Sequence, residues 1–340
     1  MVAIKKEQLL ATLDKIAGAP ILVVGDLILD RYIWGKVDRI SPEAPVPVVE
    51  VVKMEDRLGG AGNVVRNLAK IGAKSTVCGL IGNDDDGREL MELFKEIGAN
   101  VDGVVVDTSR PTTVKTRVIA ATQQIVRIDR EKRTGESPEA SRKMAEAIDR
   151  AIEGSRAVIL SDYGKGAVCP DVLDALQRAS ADHRLELAAR PLFVDPHPRN
   201  YNNYRSMSVA KPNRKEAEIA SGHAIRSVED AYVAADILMR KWNSEMMVIT
   251  LSEDGMIVKQ LGEPRGVHLE TMAQEVFDVS GAGDTVTALF CSALAVGASP
   301  TTAGVLANIA AGIVVSEVGT VAVDLERLRG EIEKWGGGKR

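Results

Sequence analysis

The stretch Ile21-Leu22-Val23-Val24-Gly25-Asp26 is apolar without a break until it ends in Gly-Asp. A strand that alternates polar and apolar residues can turn one face to water. A strand that is apolar throughout must be covered on both faces, as a central strand of a parallel sheet is. From residue 75 onward the pattern recurs, with apolar runs at 76–81, 101–106, 157–161, 192–195, 208–210, 247–250 and 256–259 separated by helical periodicity. Such alternation builds βαβ units, so the expected core is α/β with a mainly parallel sheet. At 340 residues, 45% of them hydrophobic, the chain has enough apolar surface for one large domain of that kind.

Two segments depart from the pattern. Residues 31–57 carry Arg31-Tyr32-Ile33-Trp34 and Val46-Pro47-Val48-Val49-Glu50-Val51-Val52, and residues 111–130 carry Thr113-Val114-Lys115-Thr116-Arg117-Val118 and Gln124-Ile125-Val126-Arg127-Ile128-Asp129. Their alternation implies a sheet with one polar face. Together they read as one small β appendage on a single domain, a lid able to close over a substrate and exclude water. Exposed lid strands pair readily between subunits, so a homodimer through the lid is expected.

A formal net charge of −5 gives a nucleic-acid partner no electrostatic support, and 4% aromatic residues leave few platforms for stacking bases. Cys78, Cys169 and Cys291 lie far apart, match no metal spacing and suit a reducing cytoplasm. The first residues intersperse charge with Leu9, Leu10, Leu13 and Ile16 at helical spacing, without an apolar run that would serve as a signal peptide or membrane span.

The chemistry concentrates at Asp278-Val279-Ser280-Gly281-Ala282-Gly283-Asp284, just before an apolar helical pattern over 285–296. Gly281, Ala282 and Gly283 let a bulky anion approach the free N–H groups at the helix start, where the macrodipole also favours negative charge. An acid at that point, Asp284, would repel a phosphate unless it has a separate task. The task that fits is taking a proton from a hydroxyl that attacks the phosphoryl group, which makes the pair a kinase site. A glycine-rich strand-to-helix turn with Asp284 as a plain helix-start residue explains the same spacing.

Strand ends elsewhere supply partners, because ligands of parallel sheets gather there. Asp26 and Asp30 can hold hydroxyls, although Asp26 can equally cap a turn. Gly59 and Gly60 precede Asn63, which offers a donor and an acceptor. Asp162 and Lys165 share the Gly-framed turn Ser161-Asp162-Tyr163-Gly164-Lys165-Gly166; Lys165 reads either as a phosphate contact or as a solvent-facing lysine. No Walker A spacing occurs, and the four histidines form no metal pattern. Asn213-Arg214-Lys215-Glu216 has capping-box spacing, and Glu216 could also act on a phosphate-bound Mg²⁺ through its water shell. Within the small-residue run 303–315, Asn308 can meet a purine or sit in a helix–helix seam.

In order, GGAGN (59–63), N-x-x-E (213–216), TLSEDG (250–255) and DVSGAGD (278–284) resemble the ribokinase-like (PfkB) family of carbohydrate kinases across residues 20–325. The resemblance implies a three-layer fold with a β-sheet lid, ATP and Mg²⁺ as cofactors, and room for a monovalent cation. It implies that Asp284 is the base, that Gly59, Gly60 and Asn63 grip the sugar, and that Glu216 serves the metal. Asn213, Thr250, Ser252, Gly255 and Asn308 would line ATP; Ser252 replaces a glycine usual in that loop. Residues 25–32, 39–48, 123–129 and 161–166 further resemble the branch acting on heptose 7-phosphate, in its stand-alone rather than fused form. His197 departs from that branch, where a lysine is expected. A sugar phosphate needs cations far from the base, and Arg31, Lys115, Arg117, Arg127 and Lys165 are the candidates. The expected partners are thus a sugar phosphate and ATP, with no nucleic acid and no membrane.

Overall fold

The computed structural model describes residues 4–335 except 122, 133–136, 274, 275, 318 and 320. In chain order the elements are α1 (Lys6–Ile16), β1 (Pro20–Gly25), β2 (Leu27–Ile40), β3 (Pro47–Gly60), α2 (Ala61–Lys70), β4 (Lys74–Ile81), α3 (Asp85–Glu96), β5 (Asn100–Val106), β6 (Thr113–Ala120) and β7 (Gln123–Arg130). There follow α4 (Pro138–Ile152), β8 (Ala157–Ser161), α5 (Pro170–Ala181), β9 (Leu192–Asp195), β10 (Val209–Ala210), α6 (Arg214–Ser221), α7 (Val228–Trp242), β11 (Met246–Thr250), β12 (Met256–Gln260), β13 (Val267–Leu269), α8 (Ala282–Ala295), α9 (Pro300–Val315) and α10 (Leu325–Glu333).

The main sheet has nine strands in the order β13-β12-β11-β10-β9-β8-β1-β4-β5. It is parallel from β11 to β5 and turns antiparallel at β12 and β13, which form a three-strand meander with β11. The apolar strands feed two cores by simple alternation. Ile21 and Val23 of β1 join one core with α1, α2, α8 and α9, while Leu22 and Val24 join the other with α4, α5 and α7. Side chains alternate across a strand, so each run must be apolar at every position to satisfy both layers. Among the described residues no helix is long and apolar enough to cross a membrane.

A second sheet of four strands, order β3-β2-β6-β7, stands apart from the first. Its strands begin nearer the core than the alternation suggests, since β2 starts at Leu27, one residue after Asp26. Arg31 pairs with Asp56 and Asp86, and Arg130 pairs with Asp84 and Asp86, so the N-terminus of α3 ties this sheet to the main body.

Candidate active site

Asp284 lies in the first turn of α8 and is only 5% exposed. Gly281, just ahead of the helix, has φ +83, a left-handed conformation that glycine takes without strain, and this bend starts the helix. The N–H groups of Gly283 and Asp284 meet no acceptor among the described residues, so a cradle for an anion stands open at the helix start. Lys211 flanks it: a Cβ added to Gly283 would lie 3.5 Å from the lysine ammonium.

The carboxylate of Asp284 accepts hydrogen bonds from Asn63 Nδ2 on Oδ2 at 2.7 Å and from the Tyr163 hydroxyl on Oδ1 at 2.6 Å. Burial pushes its pKa up to about 6; the two donors and Lys211 pull the other way, and Asp195 adds to the rise. Behind it runs a buried charge chain. Lys211 Nζ pairs with Asp195 Oδ2 at 3.0 Å, and Thr287 donates to the same oxygen at 3.1 Å. Burial alone would drive Lys211 toward its neutral form, but Asp195 and then Glu216 hold it charged. Glu216 itself is raised by burial and by Asp195.

Asn63 opens from α2, directly after the β3 glycines. A Cβ on Gly59 would sit 2.4 Å from Asp30 Oδ2, so only glycine lets the Asp30 carboxylate lie against that strand. Gly60 makes the turn into α2 with φ +57. Asp30 is buried and accepts from Arg117 Nη1 at 2.7 Å. Across the four-stranded sheet, Asp30 faces Lys115 and Arg57, Tyr32 faces Arg117, and Arg117 faces Arg127, so these side chains share one face. Lys115 Nζ lies 5.5 Å from the centre of the Tyr163 ring and forms no carboxylate ion pair among the described residues. Burial lowers its pKa, Asp30 opposes that shift, and the neighbouring cations Lys165 and Arg117 deepen it. Lys165 pairs with Glu131 at 2.5 Å, and Arg127 pairs with Asp129 in an exposed position. Arg31 is not brought to this cluster. It occupies the opposite face of β2 and pairs with Asp56 and Asp86.

The turn after β8 is held by two carboxylates. Asp26 accepts the N–H groups of Tyr163 at 2.8 Å, Lys165 at 2.9 Å and Ala167 at 2.9 Å. Asp162 accepts Gly164 N at 2.7 Å, Asn200 Nδ2 at 2.7 Å and the Tyr204 hydroxyl at 2.6 Å, while burial and then Asp26 push its pKa up to about 6. Both acids thus accept three hydrogen bonds each from the protein, and for Asp26 this is the turn-capping role that stood beside the hold on a hydroxyl. His197, in place of the expected lysine, packs its ring under Gly164, and burial lowers its pKa. Asp26→Asn removes an acceptor from a loop with no substitute. It is expected to cost about 3 kcal/mol of stability, the scale of charged hydrogen bonds, read by denaturant unfolding. A raised sugar KM at unchanged stability would instead mark Asp26 as a hydroxyl holder.

At the start of α6, Asn213 and Glu216 form a complete capping box: Glu216 N donates to Asn213 Oδ1 at 3.0 Å and Asn213 N to Glu216 Oε2 at 2.9 Å. Thr250 bridges to Asn213, and Arg214 Nη2 donates to Leu251 O at 2.8 Å, which joins α6 to the 250–255 turn. Ser252 has φ +56 and Gly255 φ +80, so the turn keeps a glycine-like backbone at 252 without the glycine. Asn308 Nδ2 donates to Glu270 O at 2.6 Å and fixes the segment after β13 against α9. Among the described residues no group of three or more His, Cys, Asp or Glu side chains is placed to hold a metal ion. The open helix start, the buried Lys211 and the acid Glu216 fit a triphosphate with its ion shared between phosphate oxygens and water. Tyr163, Lys211 and Asp195 were not singled out as site residues by sequence reasoning. The usable signal was position, since Lys211 and Asp195 stand at the carboxyl ends of core strands.

A buried acid at a helix start, open N–H groups beside it and a small second sheet are the parts that an α/β small-molecule kinase would use. By sequence the chain belongs to the pfkB family of carbohydrate kinases, whose profile matches residues 19–327. It is therefore a sugar kinase, a phosphotransferase that uses ATP and an alcohol acceptor. It is 46% identical to the bifunctional protein HldE of Pelobacter propionicus over 311 residues, 91% of this chain and 62% of that protein. It is 45% identical to the bifunctional protein HldE of Geotalea uraniireducens over 92% of this chain and 62% of that one. The chain thus spans less than two thirds of the curated relatives that it matches. The ribokinase-like fold is shared with Arabidopsis thaliana ribokinase complexed with ribose and ATP (TM-score 0.70, 19% identity, 94% of this chain and 100% of that). It is shared as well with phosphofructokinase-2 from Escherichia coli in complex with potassium (TM-score 0.75, 16% identity, 93% and 99%).

Proposed function

We propose that the chain transfers the γ-phosphate of ATP to O1 of D-glycero-β-D-manno-heptose 7-phosphate, giving the 1,7-bisphosphate for ADP-heptose and lipopolysaccharide core synthesis. The observation that carries this reading is the pair of groups that Tyr163 touches. Its hydroxyl meets Asp284, and its ring face meets Lys115, a half-buried cation with no carboxylate ion pair among the described residues. A substrate with a nucleophilic hydroxyl at one end and a phosphate at the other would use both groups, the acid for the hydroxyl and the ammonium for the phosphate. The resemblance of residues 25–32, 39–48 and 161–166 to the heptose phosphate branch points the same way.

In this reading Asn63 orients Asp284, and Asp284 takes the proton of O1 as its oxygen attacks the γ-phosphorus in line. The N–H groups of Gly283 and Asp284 and the Lys211 ammonium hold the charge that builds on the transferred oxygens. Mg²⁺, when bound to ATP, would neutralise phosphate charge, with Glu216 acting on its water shell. The four-stranded sheet would act as a lid. Ile40, Val52, Met54 and Ile128 are exposed on it, which supports a homodimer formed through the lid. Three free buried cysteines suit a cytoplasmic enzyme.

An ADP-release assay over a panel of sugars tests the substrate: heptose 7-phosphate is expected to exceed free heptose, ribose and fructose in kcat/KM. Faster turnover of ribose would move the chain to another branch of the family. For the metal, Glu216→Gln is expected to raise the Mg²⁺ needed for half-maximal rate by about 10-fold, with thermal stability unchanged because glutamine keeps the capping box. An unchanged Mg²⁺ requirement would leave Glu216 a capping residue only.

A further inference from the structure

We propose that Tyr163 is a positioning residue for phosphoryl transfer: its phenol donates to Asp284 Oδ1 and keeps that carboxylate ionised and aimed at the acceptor hydroxyl. The inference rests on the reading of Asp284 as the base, and adds a second residue to it.

The groups facing Asp284 come from four elements. Asn63 stands at the start of α2, Tyr163 on the turn after β8, Asp195 at the end of β9, and Lys211 just after β10. Of these, Asn63 and Tyr163 make hydrogen bonds to it, each on a different oxygen. Every carboxylate oxygen has a second lone pair, so the substrate hydroxyl can still be accepted. A carboxylate buried this deeply drifts toward its protonated form, which cannot take a proton. Donors to the charged form oppose the drift. A neutral phenol does so mildly, whereas a cation in contact would strip the group of its basicity.

Tyr163 is also fixed in place. Its N–H is held by Asp26 at 2.8 Å, the next N–H by Asp162 at 2.7 Å, and its ring is covered by the Lys115 ammonium. Its hydroxyl is raised well above the ordinary tyrosine range by burial and by Asp284, so it remains a donor. In the step itself the acceptor O–H bond breaks and its proton passes to Asp284. The freed oxygen forms the new bond to phosphorus, and ADP departs with the electron pair of the old one. The phenol keeps its own proton throughout.

The test is the pH dependence of kcat, from about pH 5 to about pH 9, for the full chain and its Tyr163→Phe variant. A base works when ionised, so wild-type kcat should fall as pH drops through about 6. Loss of the donor raises the pKa of Asp284, so the acid limb of Tyr163→Phe should move upward by about one pH unit. The rate should return toward wild type at high pH. Replacing Tyr163 by 3-fluorotyrosine, a stronger donor of the same shape, should move the limb the other way. A limb that stays in place in both variants would overturn the proposal, whether or not the overall rate falls. Asp284→Asn measured alongside separates the two readings. Normal turnover there sinks the base itself. An inactive Asp284→Asn with an unmoved Tyr163 limb sinks only the role of the phenol.

Discussion

Asp284→Asn is expected to lower kcat by about 10²- to 10⁴-fold, the range for removal of a positioned general base. Asparagine has the size of aspartate and can still accept the Tyr163 hydroxyl on its amide oxygen, so the pocket keeps its shape. What it lacks is a basic oxygen for the proton of the attacking hydroxyl. ATP affinity is expected to change little or to improve, because a negative charge leaves the helix start where the triphosphate lies. Steady-state rates at saturating substrates, together with a nucleotide titration, check both halves. Near-normal turnover would remove Asp284 from the chemistry.

The second large effect is expected at Lys115. Arg117 is paired with Asp30, Lys165 with Glu131, and Arg127 with Asp129, whereas Lys115 lies against a ring face and forms no ion pair among the described residues. A half-buried cation without an ion-pair partner is the one that gains most from an arriving phosphate. Lys115→Met keeps the length of the stem and removes the charge. It is expected to lower kcat/KM for the phosphorylated sugar by about 10- to 150-fold, which corresponds to the 1.5–3 kcal/mol of a charged hydrogen bond. The weak rate on free sugar should scarcely move. Arg127→Met, at an exposed and paired position, should change the rate by less than about 2-fold. Equal losses on free and phosphorylated sugar would place Lys115 in the framework of the lid and not at a phosphate.

Much of the fold was legible because burial on both faces leaves a plain mark. Strands such as Ile21 to Val24 must be apolar at every position to feed the two cores, and the alternating segments mark the small sheet. The open helix start was legible because a left-handed turn ahead of a helix calls for glycine, and Gly281 supplies it. Less legible was anything that depends on contacts distant along the chain. The carboxylate of Asp26 is satisfied by N–H groups 137 to 141 residues away, and no local pattern announces that it is spoken for. Arg31 entered the cation set on type alone. Neighbours on a strand point to opposite faces, so Arg31 could not share the site with Asp30, and strand parity would have removed it. Lys211 was hidden because a lone lysine after a two-residue strand carries no periodicity, and its importance comes from the Asp195 and Glu216 carboxylates around it. Tyr163 read as one residue of a turn. Its role shows only when α2, α8 and the β8 turn are brought together around Asp284.

The central claim, phosphate transfer to the anomeric oxygen of an already phosphorylated heptose, is tested most directly by ³¹P NMR of the product formed from ATP and D-glycero-β-D-manno-heptose 7-phosphate. The account predicts a second phosphate ester whose phosphorus couples to the anomeric proton, appearing in step with ADP, with the original 7-phosphate signal retained. A new ester coupled to any other sugar proton, or ADP formed with inorganic phosphate and no new ester, would contradict it.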